Sequence, residues 1–242
     1  MKIAIISDIH SNLHALQSVF AFIEQSNFDK IICLGDIVGY GPYPNECIDL
    51  VRNKCHVVLA GNHDHATVGL TDISYFNSFA KSAIQFTARV ITKDNADYLR
   101  GLEFEYREPG MFFVHASPNE PPEWHYITNT FAAESAFDAF SEQVCFIGHT
   151  HYPVVYMNTD DQNVAIASIF GKILSERKRY LINIGSVGQP RDNDPRAAFG
   201  VFDVEKRICE LIRTPYDVNA TQREMRNCAL PEFLVQRLAL GR

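Results

Sequence analysis

Residues 2–10 read Lys-Ile-Ala-Ile-Ile-Ser-Asp-Ile-His, and this stretch decides the fold. Lys2 to Ser7 is a continuous, β-branched apolar run, the pattern of a strand buried on both faces. It stops abruptly at Asp8 and His10. Next, over Asn12 to Gln25, Leu16, Val19, Phe20 and Ile23 recur at helical spacing and predict an amphipathic helix. Lys30–Leu34 is a second apolar run, Asn45–Asn53 a second helix, and His56–Ala60 a third strand. The order βαβαβ implies a parallel sheet with right-handed crossovers.

Beyond residue 60 the pattern changes. Ser74–Val90 and Asn95–Leu102 read as helices. Short strand candidates follow at Phe112–His115, Val144–Ile147, Val154–Met157, Val164–Ser168, Tyr180–Ile184, Ala198–Asp203 and Cys209–Arg213. Helices at Val218–Asn227 and Pro231–Leu240 close the chain. No linker, repeat or low-complexity stretch interrupts it, so the reading is one α/β domain over residues 1–242.

The 242 residues carry 22 Lys+Arg against 29 Asp+Glu, a net charge of −7, which argues against a basic surface for non-specific nucleic-acid binding. The N-terminal apolar run is too short for a signal peptide, and no stretch reaches membrane-spanning length. Six cysteines without CxxC spacing read as reduced thiols, with Cys33 and Cys47 as packing residues, which predicts a cytoplasmic protein.

The chemistry follows the strands. Asp8 and His10 follow the first, Gly35-Asp36 the second, Gly61-Asn62-His63-Asp64 the third, His115 the run from Phe112, and Gly148-His149-Thr150-His151 the run from Val144. Ligands of parallel α/β sheets bind beyond the carboxyl ends of strands. Asp8, His10, Asp36, Asn62, His115, His149 and His151 are too many donors for one ion. Oxygen and imidazole donors without thiolate suit two divalent ions drawn from Mn, Fe, Zn or Ni. Two ions about 3.5–4 Å apart, bridged by a carboxylate, clamp both oxygens of an in-line displacement, which is chemistry for phosphate esters. His63, next to Asn62, is placed to give the leaving oxygen its proton.

The motifs DxH, GDxxG, GNHD, a lone His and GHTH, in this order, resemble the calcineurin-like metallophosphoesterase superfamily. The short chain and the Tyr40-Gly41-Pro42-Tyr43-Pro44 continuation look like its small prokaryotic phosphodiesterase/phosphatase branch. The resemblance implies a four-layer α/β/β/α sandwich, two mixed β-sheets flanked by helices. It implies that Asp8, His10 and His151 hold one metal, that Asn62, His115 and His149 hold the other, and that Asp36 bridges them together with a hydroxide. His63 would touch the phosphate and protonate the leaving group. Around Asn183–Arg191 the chain resembles another family segment but carries Ile184 where the family has Pro.

Five further residues are candidates for substrate contact: Asn12, His14, Tyr43, Trp124 and Arg191. Trp124 and Tyr126 belong to the Pro-rich loop Ser117–Tyr126, which is either an aromatic platform for a nucleobase or aryl group or a rigid cover. The expected activity is hydrolysis of a small, possibly nucleotide-like phosphate ester. The resemblance favours diesters, and with it goes the observation that only Arg191 is an obvious source of the extra positive charge a monoester would need. The rivals are a non-catalytic metal-binding scaffold, a phosphomonoesterase and a protein phosphatase; a homodimer is compatible with the end helices and the aromatic loop.

Overall fold

The computed structural model describes residues 1–158 and 163–242. Strands β1 (Lys2–Ile6), β2 (Lys30–Cys33) and β3 (Val57–Val58) alternate with helices α1 (Leu13–Glu24) and α2 (Pro44–Lys54). Helices α3 (Asn62–Thr67), α4 (Ser78–Val90) and α5 (Lys93–Arg100) follow. Then come β4 (Glu105–Glu108), β5 (Met111–Val114), α6 (Thr130–Asp138), β6 (Val144–Ile147), β7 (Val154–Asn158), β8 (Val164–Ile166) and β9 (Tyr180–Asn183). The chain closes with β10 (Ala197–Asp203), β11 (Ile208–Thr214), α7 (Val218–Asn227) and α8 (Glu232–Leu240).

Two sheets result, ordered β11-β10-β1-β2-β3 and β4-β5-β6-β9-β7-β8. The three N-terminal strands are parallel, as the βαβαβ pattern implies. Their sheet is nevertheless mixed, because β10 adds antiparallel to β1. The connection from Asp203 to Ile208 is too short for a crossover, so β10 and β11 must run antiparallel. The second sheet has a parallel centre, β5-β6-β9, with antiparallel strands outside it.

Strand periodicity sorts side chains into layers. Ile3 and Ile5 of β1 join Phe146 and Ile182 between the sheets, while Ala4 and Ile6 face α1 and α2. Across the gap, Cys145, Ile147 and Leu181 face α6. This is the helix–sheet–sheet–helix stack. Burying a side chain such as Phe146 contributes roughly 1.5–3 kcal/mol. On α1 the predicted stripe Leu16, Val19, Phe20 and Ile23 is buried, and Asn12 caps its first turn by accepting from the Ala15 N–H (3.2 Å).

Some elements escaped the apolar pattern. The edge strand β4 is Glu-Tyr-Arg-Glu and is held by its pairing with β5. The stripe of α6 consists of Ala133, Ala136 and Phe137, too small to stand out. Helix α4 starts at Ser78, later than expected, because the Asn77 side chain caps the N–H groups of Phe79 and Ala80. Thr92 likewise starts α5 two residues early, accepting from the Asn95 N–H. No helix among the described residues is long and apolar enough to cross a membrane.

Candidate metal centre

The loops that follow β1, β2, β3, β5 and β6 meet at one rim between the two sheets. Backbone bonds stitch them together: Asp8 N–H donates to Gly35 O (3.0 Å), His10 N–H to Asp36 O (3.0 Å), and Gly188 N–H to Asp8 O (2.9 Å). Asp8, His10, Asp36, His149 and His151 all have left-handed backbones, with φ between 50° and 65°. Such a conformation costs a non-glycine residue about 1–3 kcal/mol and persists only where the surroundings over-determine it. Here the surroundings do: His149 N–H donates to Asp8 Oδ2 (2.9 Å), and His63 N–H to Asp36 Oδ1 (2.8 Å). Asp64 ties the second and third loops together, accepting from the N–H groups of Val38 (3.1 Å) and Gly61 (3.0 Å).

The donor atoms form three overlapping groups in which all atoms lie within 4.8 Å of one another: Asp8–His10–His151, His10–Asp36–His63 and Asp36–His115–His149. Asp36 belongs to two of them. Its Oδ2 is 3.6 Å from His10 Nε2 and 3.5 Å from His115 Nε2. Asn62 starts α3 beside them, with a buried Oδ1 that has no hydrogen-bond partner.

The donor chemistry fits divalent cations. Nδ1 of His10, His115 and His151 faces the backbone oxygens of Val38 (3.0 Å), Leu34 (3.1 Å) and Gln189 (2.6 Å). A carbonyl accepts only, so each Nδ1 carries the proton and each Nε2 presents a lone pair inward. His10 Nε2 and His151 Nε2 then stand 3.0 Å apart with no proton to share. Nε2 of His115 and His149 is buried without a partner. Each such orphan costs about 1–3 kcal/mol, which a bound cation would offset.

The electrostatics agree. Burial holds His10, His149 and His151 well below the ordinary imidazole pKa, in the neutral form that ligates metal. His63 is pushed down to about 4, chiefly by burial. His115 goes the other way, to about 9: burial lowers it, but the charges of Asp36 and Asp8 outweigh burial. The carboxylates therefore favour positive charge at His115 Nε2, a proton in the free site or a bound cation in its place, so that Nε2 offers its lone pair only once the proton is displaced. Burial, aided by Asp36, raises Asp8 to about 7.

Six of the seven sequence-predicted donors therefore meet in these groups, the seventh, Asn62, lines the same cleft as His63 and His149, and His63 lies in ligand range as well. The five substrate candidates divide. Trp124 lines a cleft of about 740 Å³ that reaches Asn62, His63 and His149. It also packs edge-on against His65 and His115 and at a tilt against Phe104, which makes it a cover and a wall at once. Arg191 stands at the rim, its guanidinium 5.9 Å from the Tyr40 ring. Asn12, His14 and Tyr43 are not brought to the cleft. Asn12 caps α1, donates to Gly188 O (2.8 Å) and accepts from Thr221 Oγ1, so its polar atoms are spent. His14 Nδ1 meets Thr221 Oγ1 (3.1 Å), and Tyr43 packs edge-on to His14. Cys33 and Cys47 are core residues, remote from ligation.

Other residues of the site carry no motif signal of their own. Tyr40 lies 4.6 Å from the His10 ring and 4.5 Å from the His63 ring, and the Tyr126 ring sits 3.9 Å from that of His149. Ser186 donates to Asp8 O (2.8 Å) and so buttresses the first loop. At the departure from the resembled segment, Ile184 donates its N–H to Ile147 O (3.1 Å), a bond proline could not make.

The layering and this rim define a metallophosphoesterase class of protein, and comparison with known proteins agrees. A profile of the calcineurin-like phosphoesterase superfamily domain matches residues 1–207. An uncharacterised protein of Methanocaldococcus jannaschii is 40% identical over 246 residues, covering 99% of this chain and 98% of its own. The crystal structure of a metallophosphoesterase from Sphaerobacter thermophilus is 40% identical, with a TM-score of 0.87 over 100% of this chain and 99% of that one. A hypothetical protein from Pyrococcus horikoshii, 20% identical, shares the fold, with a TM-score of 0.82 over 100% of this chain and 98% of that one. The chain belongs to the calcineurin-like phosphoesterase superfamily, whose members are metal-dependent phosphoesterases.

Proposed function

We propose that this phosphoesterase holds two divalent metal ions and hydrolyses phosphodiesters in preference to monoesters. Asp8, His10 and His151 would hold one ion, Asn62, His115 and His149 the other, and Asp36 both. The observation that carries this reading is the set of inward Nε2 atoms grouped around Asp8 and Asp36, with the orphaned Asn62 Oδ1 on a residue lining the same cleft. The ions would supply Lewis acidity, acidifying a water and neutralising charge on the phosphoryl oxygens.

The chain's own residues do the rest. Backbone carbonyls fix the imidazole tautomers, so the donors need no reorganisation during reaction. His63, at the wall of the cleft, would protonate the leaving oxygen; held neutral in the free site, it would take up the proton it gives when an anionic ester binds beside it. Trp124 and Tyr126 limit water around the reacting phosphorus. The diester preference draws support from the shape of the cleft, which continues on both sides of Tyr40 and Tyr126 and so has room for two substituents. The six cysteines are free, which suits a reducing cytoplasm.

The test is hydrolysis of bis(4-nitrophenyl) phosphate by the metal-loaded protein, with metal content measured in parallel. We expect two ions per chain, turnover, and loss of both on chelation. A fully metallated protein inert on a broad panel of phosphate esters would instead establish the scaffold alternative.

A further inference from the structure

Past Tyr40 and Tyr126 the cleft opens into an adjoining pocket of about 350 Å³. Two cations enter it from distant parts of the chain, Arg191 after β9 and Arg237 from α8, and among the described residues no Asp or Glu lines it. We propose that this pocket is a second phosphate subsite, in which Arg191 and Arg237 hold a phosphoryl group next to the scissile one. The substrate is then a small molecule with at least two phosphoryl groups. The proposal rests on the phosphoesterase reading above and narrows its substrate class.

Neither guanidinium pairs with an Asp or Glu side chain among the described residues. The acids nearest Arg191 in sequence are committed elsewhere: Asp192 pairs with Arg213, and Asp194 with Arg196. Glu232, on the same helix as Arg237, pairs with Arg226. Arg191 donates one bond to Gln189 Oε1 (2.9 Å), and its buried Nε has no partner. Arg237 donates from Nε to the terminal main-chain oxygen of Arg242, an anionic partner on one edge of the fork, and rests over the Phe233 ring, 5.4 Å from its centroid. Its two terminal nitrogens have no acceptor among the described residues. A planar fork with free N–H groups is the donor that matches phosphate oxygens.

The two charges also act on each other. Arg237 is pushed down to about 10 by burial and by Arg191. Partly buried like charges side by side are unfavourable, and an anion between them reduces that cost. The position is fixed in advance, because Leu234 and Leu238 of α8 pack in one buried cluster with Tyr40. The pocket also corrects an expectation from sequence: Arg191 is not alone in supplying extra positive charge.

The test uses manganese-loaded enzyme at buffered free metal. AMP, ADP and adenosine 3′,5′-bisphosphate compete against bis(4-nitrophenyl) phosphate; the two bisphosphates separate an anhydride-linked second phosphate from one carried elsewhere on the molecule. We expect at least one of them to inhibit about tenfold more tightly than AMP, the worth of one or two charge-assisted bonds. Arg237→Gln should bring that ratio close to one, and Arg237→Lys should keep part of it. Equal inhibition by all three in the wild type, or a ratio that survives Arg237→Gln, overturns the subsite. The wild-type ratio is a test that needs no variant. If turnover is absent but calorimetry shows the same preference, hydrolysis is overturned and the subsite stands.

Discussion

Asp8, His10, Asp36, His115, His149 and His151 are each at most 4% exposed, whereas Tyr75, Tyr126 and Phe233 on the walls of the cleft are 93%, 58% and 52% exposed. The inner ring sits on backbone held by several hydrogen bonds per loop, much of it in left-handed conformations. The outer walls are side chains on helices and loops, held by their own packing. Phe79 and Phe233, for instance, stack at 4.5 Å across α4 and α8. The ring is over-determined and fixes the chemistry. The walls tolerate change and set what is bound.

If that contrast is sound, substitutions should grade from ring to wall. Asp36→Asn, at the atom shared by two donor groups, should lower kcat/KM on the order of 10³-fold or more and reduce metal content, read by elemental analysis. His63→Ala should lower kcat by about 10²–10⁴-fold while metal is retained. Loss of metal together with rate in that variant would move His63 into the ring as a ligand. Gly61→Ala tests over-determination itself. A Cβ there would lie 2.1 Å from Asp36 Oδ1 and 2.2 Å from Asp36 N. The loop must move, at about 1–3 kcal/mol in thermal or denaturant unfolding and about 10²-fold in rate.

Smaller effects mark the transition to the wall. Ser186→Ala removes the bond to Asp8 O, and a loss of about 10–100-fold in activity or metal affinity is expected, as for other groups that orient ligands. Tyr75→Ala should change KM by only a few-fold and leave kcat alone, since one exposed ring is worth about 1 kcal/mol at most to a stacked group. A loss in kcat from Tyr75→Ala comparable with that from His63→Ala would break the distinction between ring and wall.

The inner ring was readable from sequence because each motif is local. Asp8 and His10 end one strand run, Asp36 ends another, and strand polarity alone sends them toward the same rim. The walls were not readable in that way. Arg237 stands in an unremarkable helix, and nothing in its neighbours announces that α8 docks against Tyr40. The surroundings of Asn12, His14 and Tyr43 were hidden for the same reason: sequence proximity to Asp8 and Asp36 carried no information about α7, whose Thr221 engages Asn12 and His14. The weak elements α6 and β4 have little apolar pattern and owe their form to the sheet they pack on or pair with.

By itself the sequence determined which strands exist at the centre, that α1 and α2 cover the first sheet, and which seven donors stand at the strand ends. Those are properties of short segments, set by side-chain periodicity and by where an apolar run stops. Only the tertiary structure decided that β10 turns the first sheet mixed, that His10 and His151 bring two lone pairs to 3.0 Å, and that Arg191 and Arg237 share one pocket. Those are meetings of residues far apart in the chain, and they depend on how whole layers dock, which no local pattern encodes.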